Sequence, residues 1–165
     1  MTSSSSMSHE KLLARIENKR DELVELTCDL VKIPTINPPG EYYTDCAQFL
    51  GDRLAKRNFQ VEYYRAEGTP GDSDKYPRIN VVARHENPKP GSCVHFNSHI
   101  DVVATGLGWQ YDPFAAEIVG SRIYGRGTCD MKGGLAARTT QAQNQLVVAL
   151  CVIGVRRRFP AHAAA

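Results

Sequence analysis

The amino-acid sequence predicts an α/β fold, a mixed sheet flanked by helices. Three observations point there: two amphipathic helical stretches come first, short apolar segments of β type come next, and a glycine-rich run then opens another helix. The chain has 165 residues, 42% hydrophobic and 23% charged, which is enough for one domain with a proper core and barely enough for two.

Residues 1–8 (Met-Thr-Ser-Ser-Ser-Ser-Met-Ser) have neither a basic region nor an apolar core, so they read as a disordered lead-in and not as a secretory signal. Residues 9–31 predict one helix, with Leu12, Leu13, Ile16, Leu23, Val24, Leu26, Thr27 and Leu30 on a broad stripe between Lys, Arg and Glu. Ser8 is its expected N-cap and Pro34 its stop. Thr35-Ile-Asn-Pro-Pro-Gly is a turn-rich break. A second helix over about 43–57 is expected to bury Cys46, Phe49, Leu50 and Leu54, with Asn58 closing it in the left-handed conformation.

Strands are predicted over 60–65, 79–83 and 93–98, separated by a Gly/Pro/Asp loop at 66–77 and a Pro-containing turn at 86–92. Gly120-Ser121, between 116–119 and 122–124, is a two-residue hairpin signal. Gly133-Gly134-Leu-Ala-Ala opens a helix, yet 138–145 is almost wholly polar and 146–155 nearly all apolar, with no stripe joining the blocks. The expected organisation is therefore a lead-in at 1–8, a domain at 9–137 and an atypical tail at 138–165. Within that tail, 146–155 reads either as a hydrophobic strand or as an accidental translation product.

A net charge of +2 is too small to argue for nucleic acid or a membrane surface, and no stretch approaches the roughly 20 apolar residues of a spanning helix. Five cysteines (28, 46, 93, 129, 151) stand singly, with no Cys-x-x-Cys pair. That pattern argues against a disulfide framework and for a reducing, cytoplasmic setting.

The chemistry sits in three residues. On an extended strand, His99 and Asp101 project to the same side, so the imidazole can bind a metal while the carboxylate fixes its orientation and raises its basicity. Asp130 comes later, on a loop containing glycines 125, 127, 133 and 134, and a carboxylate can bridge two cations where an imidazole cannot. Taken alone, a His-x-Asp is more often a hydrogen-bonded pair than a metal site; the joint pattern changes that weighting. His95 is read as an ordinary residue, and Cys129 as a small buried thiol without the His context of a nucleophile. The loop lacks the Gly-Lys-Ser/Thr ending of a phosphate loop, which excludes nucleotide binding. Trp109, Tyr111 and Phe114 either line a substrate groove or cover the metal loop.

Several segments together resemble one family. They are Ser98-His-Ile-Asp-Val-Val, Gly108-Trp, Asp112-Pro-Phe and Tyr124-Gly-Arg-Gly-Thr-Cys-Asp-Met-Lys-Gly-Gly-Leu-Ala-Ala, with Pro34-Thr-Ile-Asn-Pro-Pro-Gly40 upstream. The pattern, from about Leu12 to Ala137, resembles the co-catalytic zinc peptidases and deacylases that include acetylornithine deacetylase, succinyl-diaminopimelate desuccinylase and aminoacylase. The resemblance implies part of a zinc-peptidase catalytic domain that hydrolyses N-acyl amino acids or small peptides. It implies that His99 binds one zinc, that Asp130 bridges two, and that Asp101 acts as the catalytic-site residue orienting His99. Cobalt or manganese would suit the same ligands.

The sequence departs from that family after Asp130, beyond which there is no Asp or Glu and only one histidine, His162. The family's Glu-Glu pair, which provides a general base and a ligand, therefore has no counterpart, and neither does its smaller dimerisation domain. The expectation is an incomplete catalytic portion with a frameshifted tail, holding at most one weakly bound cation. The rival expectation is an inactive remnant with weak single-metal binding. A third is self-association through an exposed sheet edge.

Overall fold

The computed structural model describes residues 9–85, 93–141 and 147–153. The lead-in at 1–8 with its Ser8 cap, the turn at 86–92 and His162 lie outside the described residues. The chain divides into two compact units, one made of Met1–Ile33 and Thr105–Asn144, the other of Pro34–Ala104 and Gln145–Ala165.

In the first unit, two helices replace the single one expected: α1 (His9–Glu17) and α2 (Arg20–Val31). The break falls at Asn18-Lys19, where a weak helix former meets a residue at φ −103°, ψ 4°. There the Lys19 N–H donates to the Ile16 carbonyl at 3.0 Å, tightening the turn. The apolar stripe divides accordingly. Leu26, Leu30 and Val31 are fully buried, while Leu13 and Ile16 are 52% and 44% exposed. Cys28, Val31 and Ala116 form a small core with Val24 and Ile123 against it.

The hairpin forms where expected, as β4 (Glu117–Val119) and β5 (Arg122–Tyr124), turning at Gly120 with φ 61°. Helix α4 (Gly133–Gln141) packs on α2 and buries Leu135 and Ala136. Helical order does not end at Ala137. Thr139 and Thr140 are buried because their hydroxyls donate to the carbonyls of Leu135 and Ala136, each at 2.9 Å. Back-bonding of this kind lets a polar run sit inside a core, and composition alone does not reveal it.

The second unit holds a four-stranded mixed sheet built from β1 (Gln60–Arg65), β2 (Ile79–His85), β3 (Cys93–His99) and β6 (Val147–Ile153), in the order β1–β2–β6–β3. β1–β2 and β2–β6 are antiparallel and β3–β6 is parallel. The strand alternative for the apolar block thus holds over 147–153, and that strand lies inside the sheet. Helix α3 (Tyr43–Ala55) packs on β1 and β2, with Cys46, Leu50 and Leu54 fully buried and Phe49 half-buried. Asn58 takes the left-handed φ of 64° after this helix, as its residue type allows.

Ala149 pairs with Arg84 on one side and with His95 on the other. Ala149→Pro removes a backbone donor from a strand interior, so a stability loss of about 2 kcal/mol or more is expected in urea unfolding. An unchanged midpoint would show that the strand does not occupy this central place.

Candidate metal centre

Strand β3 ends at His99, Ile100 is buried beneath it, and Asp101 comes next, outside the strand. His99 Nδ1 lies 3.1 Å from Asp101 Oδ1 and 3.2 Å from the Asp101 carbonyl, with both side chains about one-third exposed (35%). Both partners are acceptors, so the proton is assigned to Nδ1, and Nε2 is the ring atom that would hold a cation.

The segment after Pro34 pins this pair from the side. Residues Thr35 to Asn37 run parallel to 100–102 through a bridge between Ile36 and Val102. The Val102 N–H donates to the Thr35 carbonyl and the Asn37 N–H to the Val102 carbonyl, each at 2.9 Å. The buried Thr35 hydroxyl donates to the Ile100 carbonyl. Asn37 Nδ2 then reaches the second oxygen of Asp101 at 3.4 Å. Buried Tyr43 lies close enough to feel the carboxylate: burial, and next the charge of Asp101, push its phenol well above the usual tyrosine range. The sequence marks 34–40 only as a turn that matches a family loop. It assigns Thr35 and Asn37 no role, since their partners lie more than sixty positions away.

In the other unit, Asp130 lies in a tight turn over 128–132, with extended backbone at φ −129°, ψ 95°. Gly127 enters the turn at φ 88°, a conformation that strains any other residue. A Cβ at Gly133 would stand 2.6 Å from the Thr128 carbonyl oxygen, and one at Gly125 2.5 Å from Val31. Gly134 has no such constraint, because a Cβ there would meet Met131 at an ordinary 3.8 Å. Asp130 and Cys129 are both exposed, so the expectation of a buried Cys129 thiol is corrected: the turn directs 129 and 130 outward and 132 inward.

Lys132 is fully buried, and its ammonium donates to the carbonyls of Leu30 and Ile33 at 2.9 and 2.6 Å. Those carbonyls lie in the last turn of α2 and just beyond it, where helical C=O groups lack intrahelical donors and a cation is favoured. Trp109 donates through Nε1 to Thr105 at 2.6 Å and lies under Arg126, and Tyr111 packs on Tyr124 with centroids 4.7 Å apart.

The donor chemistry fits one metal ligand, an imidazole oriented by a carboxylate. It does not fit a closed zinc site, which takes about four ligands. Among the described residues, no group of three or more His, Cys, Asp or Glu is placed to hold a metal ion. The structure brings His99 and Asp101 together, while Asp130 belongs to the other compact unit.

Comparison with known proteins bears on this segment directly. Residues 95–146 match the model of Peptidase family M20/M25/M40. The matched stretch contains His99, Asp101 and Asp130. Human carnosine dipeptidase 1 superposes on 88% of this chain and 34% of its own length, with a TM-score of 0.70 and 21% identity. A di-peptidase of Saccharomyces cerevisiae gives 0.70 and 19% identity over 86% of this chain and 33% of its own. A tripeptidase of Staphylococcus aureus gives 0.58 and 19% identity over 81% and 36%. The chain shares the α/β fold of the matched part of these proteins and spans about a third of their length.

Lys132→Met tests the clamp beneath Asp130. Orphaning the two carbonyls outweighs the relief of no longer burying a charge, so a loss of about 1–3 kcal/mol is expected in denaturant unfolding. Unchanged stability would mean that the Leu30 and Ile33 carbonyls do not depend on this ammonium.

Proposed function

We propose that this chain carries part of the site of a metal-dependent hydrolase acting on linear amides, in N-acyl amino acids or small peptides. The observation that carries the reading is the His99–Asp101 pair at 3.1 Å, inside the stretch that matches the peptidase family model. The similarity to two dipeptidases and a tripeptidase supports the peptide end of that substrate range. The motif pattern around residues 98–103 and 124–137 supports the deacetylase, desuccinylase and aminoacylase end.

In this reading His99 and Asp130 are the metal ligands, Asp101 orients His99, and zinc is the native ion, with cobalt or manganese as substitutes. A bound cation of this kind polarises a substrate carbonyl and lowers the pKa of a bound water. The chain's own contribution is to hold Nδ1 of His99 protonated against Asp101. Cysteines 28, 46 and 129 form no disulfide among the described residues, which supports a reducing, cytoplasmic setting. No helix among the described residues is long and apolar enough to cross a membrane.

One observation favours a second reading, single-metal binding without turnover: no cluster of three metal-binding side chains exists among the described residues. Metal analysis after dialysis against zinc should find at most one ion per chain, and none in His99→Ala. Stable retention of two would contradict the half-site assignment. Incubation with N-acetylornithine, N-succinyl-diaminopimelate and a dipeptide panel in zinc or cobalt buffer separates the readings. Turnover that His99→Ala abolishes supports the hydrolase, and its absence at full metal loading supports binding alone.

A further inference from the structure

We propose that Arg78 is a positioning residue for His99, acting through Asn37 and Asp101. The proposal deepens the reading of His99 as a metal ligand and rests on it. Arg78 Nη2 donates to Asn37 Oδ1 at 3.2 Å, Asn37 Nδ2 to Asp101 Oδ2 at 3.4 Å, and His99 Nδ1 lies 3.1 Å from Asp101 Oδ1. All four side chains belong to the same compact unit.

The direction of this chain of bonds is fixed at its buried end. A guanidinium only donates, so the carbonyl oxygen of Asn37 must face it, which turns the amide NH2 toward a carboxylate that only accepts. The flipped amide would set N–H against guanidinium and C=O against carboxylate, two repulsions in place of two bonds. With Asp101 Oδ2 taken by Asn37, Oδ1 is the oxygen presented to the imidazole, and this selects the tautomer protonated at Nδ1.

The guanidinium is built into place. Arg78 is 3% exposed, and its carbon Cζ lies 5.1 Å from the centre of the Tyr43 ring. A Cβ at Gly40 would stand 1.8 Å from Nη1 and one at Gly71 2.2 Å from Nη2, so both loops close on it with glycine at φ 101° and 83°. Its backbone N–H donates to Asp72 at 3.0 Å, and Asp72 in turn pairs with Arg65 at 3.1 Å. The Arg78 carbonyl accepts from Ala66 N–H at 2.8 Å.

The guanidinium is only partly compensated. Nε and Nη1 have no hydrogen-bond partner among the described residues, although both are buried. A buried charge left partly uncompensated is a net cost, and apolar replacement of such groups is often neutral or stabilising. A structural role alone predicts that Arg78→Met alters stability and leaves the His99 tautomer as it is, whereas a positioning role predicts a change at His99.

The experiment uses the full chain, labelled with 15N, and reads the long-range 1H–15N imidazole spectrum, with His99→Ala assigning the His99 signals. Zinc titration provides the second readout. Wild type should show one His99 tautomer protonated at Nδ1. Arg78→Met and Asn37→Ala should both mix the tautomers and weaken His99-dependent zinc binding about tenfold. Arg78→Lys, which still donates to Asn37, should keep the wild-type tautomer. Asn37→Ala spares the guanidinium and decides the matter if Arg78→Met fails to fold. An unchanged His99 spectrum in Asn37→Ala and in any folded Arg78→Met overturns the proposal. Zinc binding indifferent to His99→Ala instead overturns the metal-ligand reading, while the tautomer result still decides the relay.

Discussion

The carboxylate of Asp101 has a donor on each oxygen, His99 on one and Asn37 on the other, and the local structure of its unit is arranged around keeping both. A carboxylate at a strand end is ordinarily free to rotate. Here the parallel bridge between Ile36 and Val102, with the buried Thr35 hydroxyl on the Ile100 carbonyl, fixes the backbone on either side of it. Two buried apolar residues, Ile100 and Val102, flank it and leave the acid as the one side chain of the three that stays partly exposed. Orientation is thereby set by backbone hydrogen bonds and burial, which cost nothing further when a ligand arrives. Preorganisation of this kind is what outer groups contribute to a metal-binding imidazole.

The sheet supports that arrangement from below. Strand β3, which delivers His99, pairs in parallel with β6 through to Ile153 opposite His99. The far side of β6 pairs with β2, the strand that starts just after Arg78. His99 therefore ends one strand and Arg78 immediately precedes another strand of the same sheet, and the segment 147–153 lies between those two strands. An apolar stretch that looks foreign by composition is the element that joins β2 to β3.

Much of this is legible in sequence, for physical reasons that differ by element. Alternation in 60–65, short strand-like runs at 79–83 and 93–98 and the turn residues between them place β1, β2, β3 and the Gly120-Ser121 hairpin, because those signals are local. His99 and Asp101 are legible as a pair from their spacing, although the strand stops at His99 and the segment at 35–37 completes the geometry. The break at Asn18-Lys19 is not, because the apolar stripe continues across it and only tertiary packing shows that Leu13 and Ile16 go unburied. Thr139 and Thr140 look by composition like the end of a helix, since their burial depends on hydroxyls bonding to the preceding turn. Nothing in the sequence links Asn37 to Arg78: an Asn before Pro and a lone Arg before a strand are commonplace, and only the fold brings them within reach of each other.

Each of the two aspartates is backed by a buried cation. Asp101 is tied through an amide to Arg78, and the turn bearing Asp130 is tied through the backbone to Lys132. The two ties run through different groups. Arg78 meets Asp101 through the neutral oxygen of Asn37, and Lys132 grips the peptide oxygens at the end of α2. The difference matters for chemistry, because a direct salt bridge would neutralise the carboxylate and compete with any metal for it. A cation held one group away fixes the position of the acid and leaves its oxygens the stronger donors. Desolvating two such cations is costly; Arg78 meets one carboxylate through Asn37, and Lys132 closes the end of α2 against the turn that bears the other.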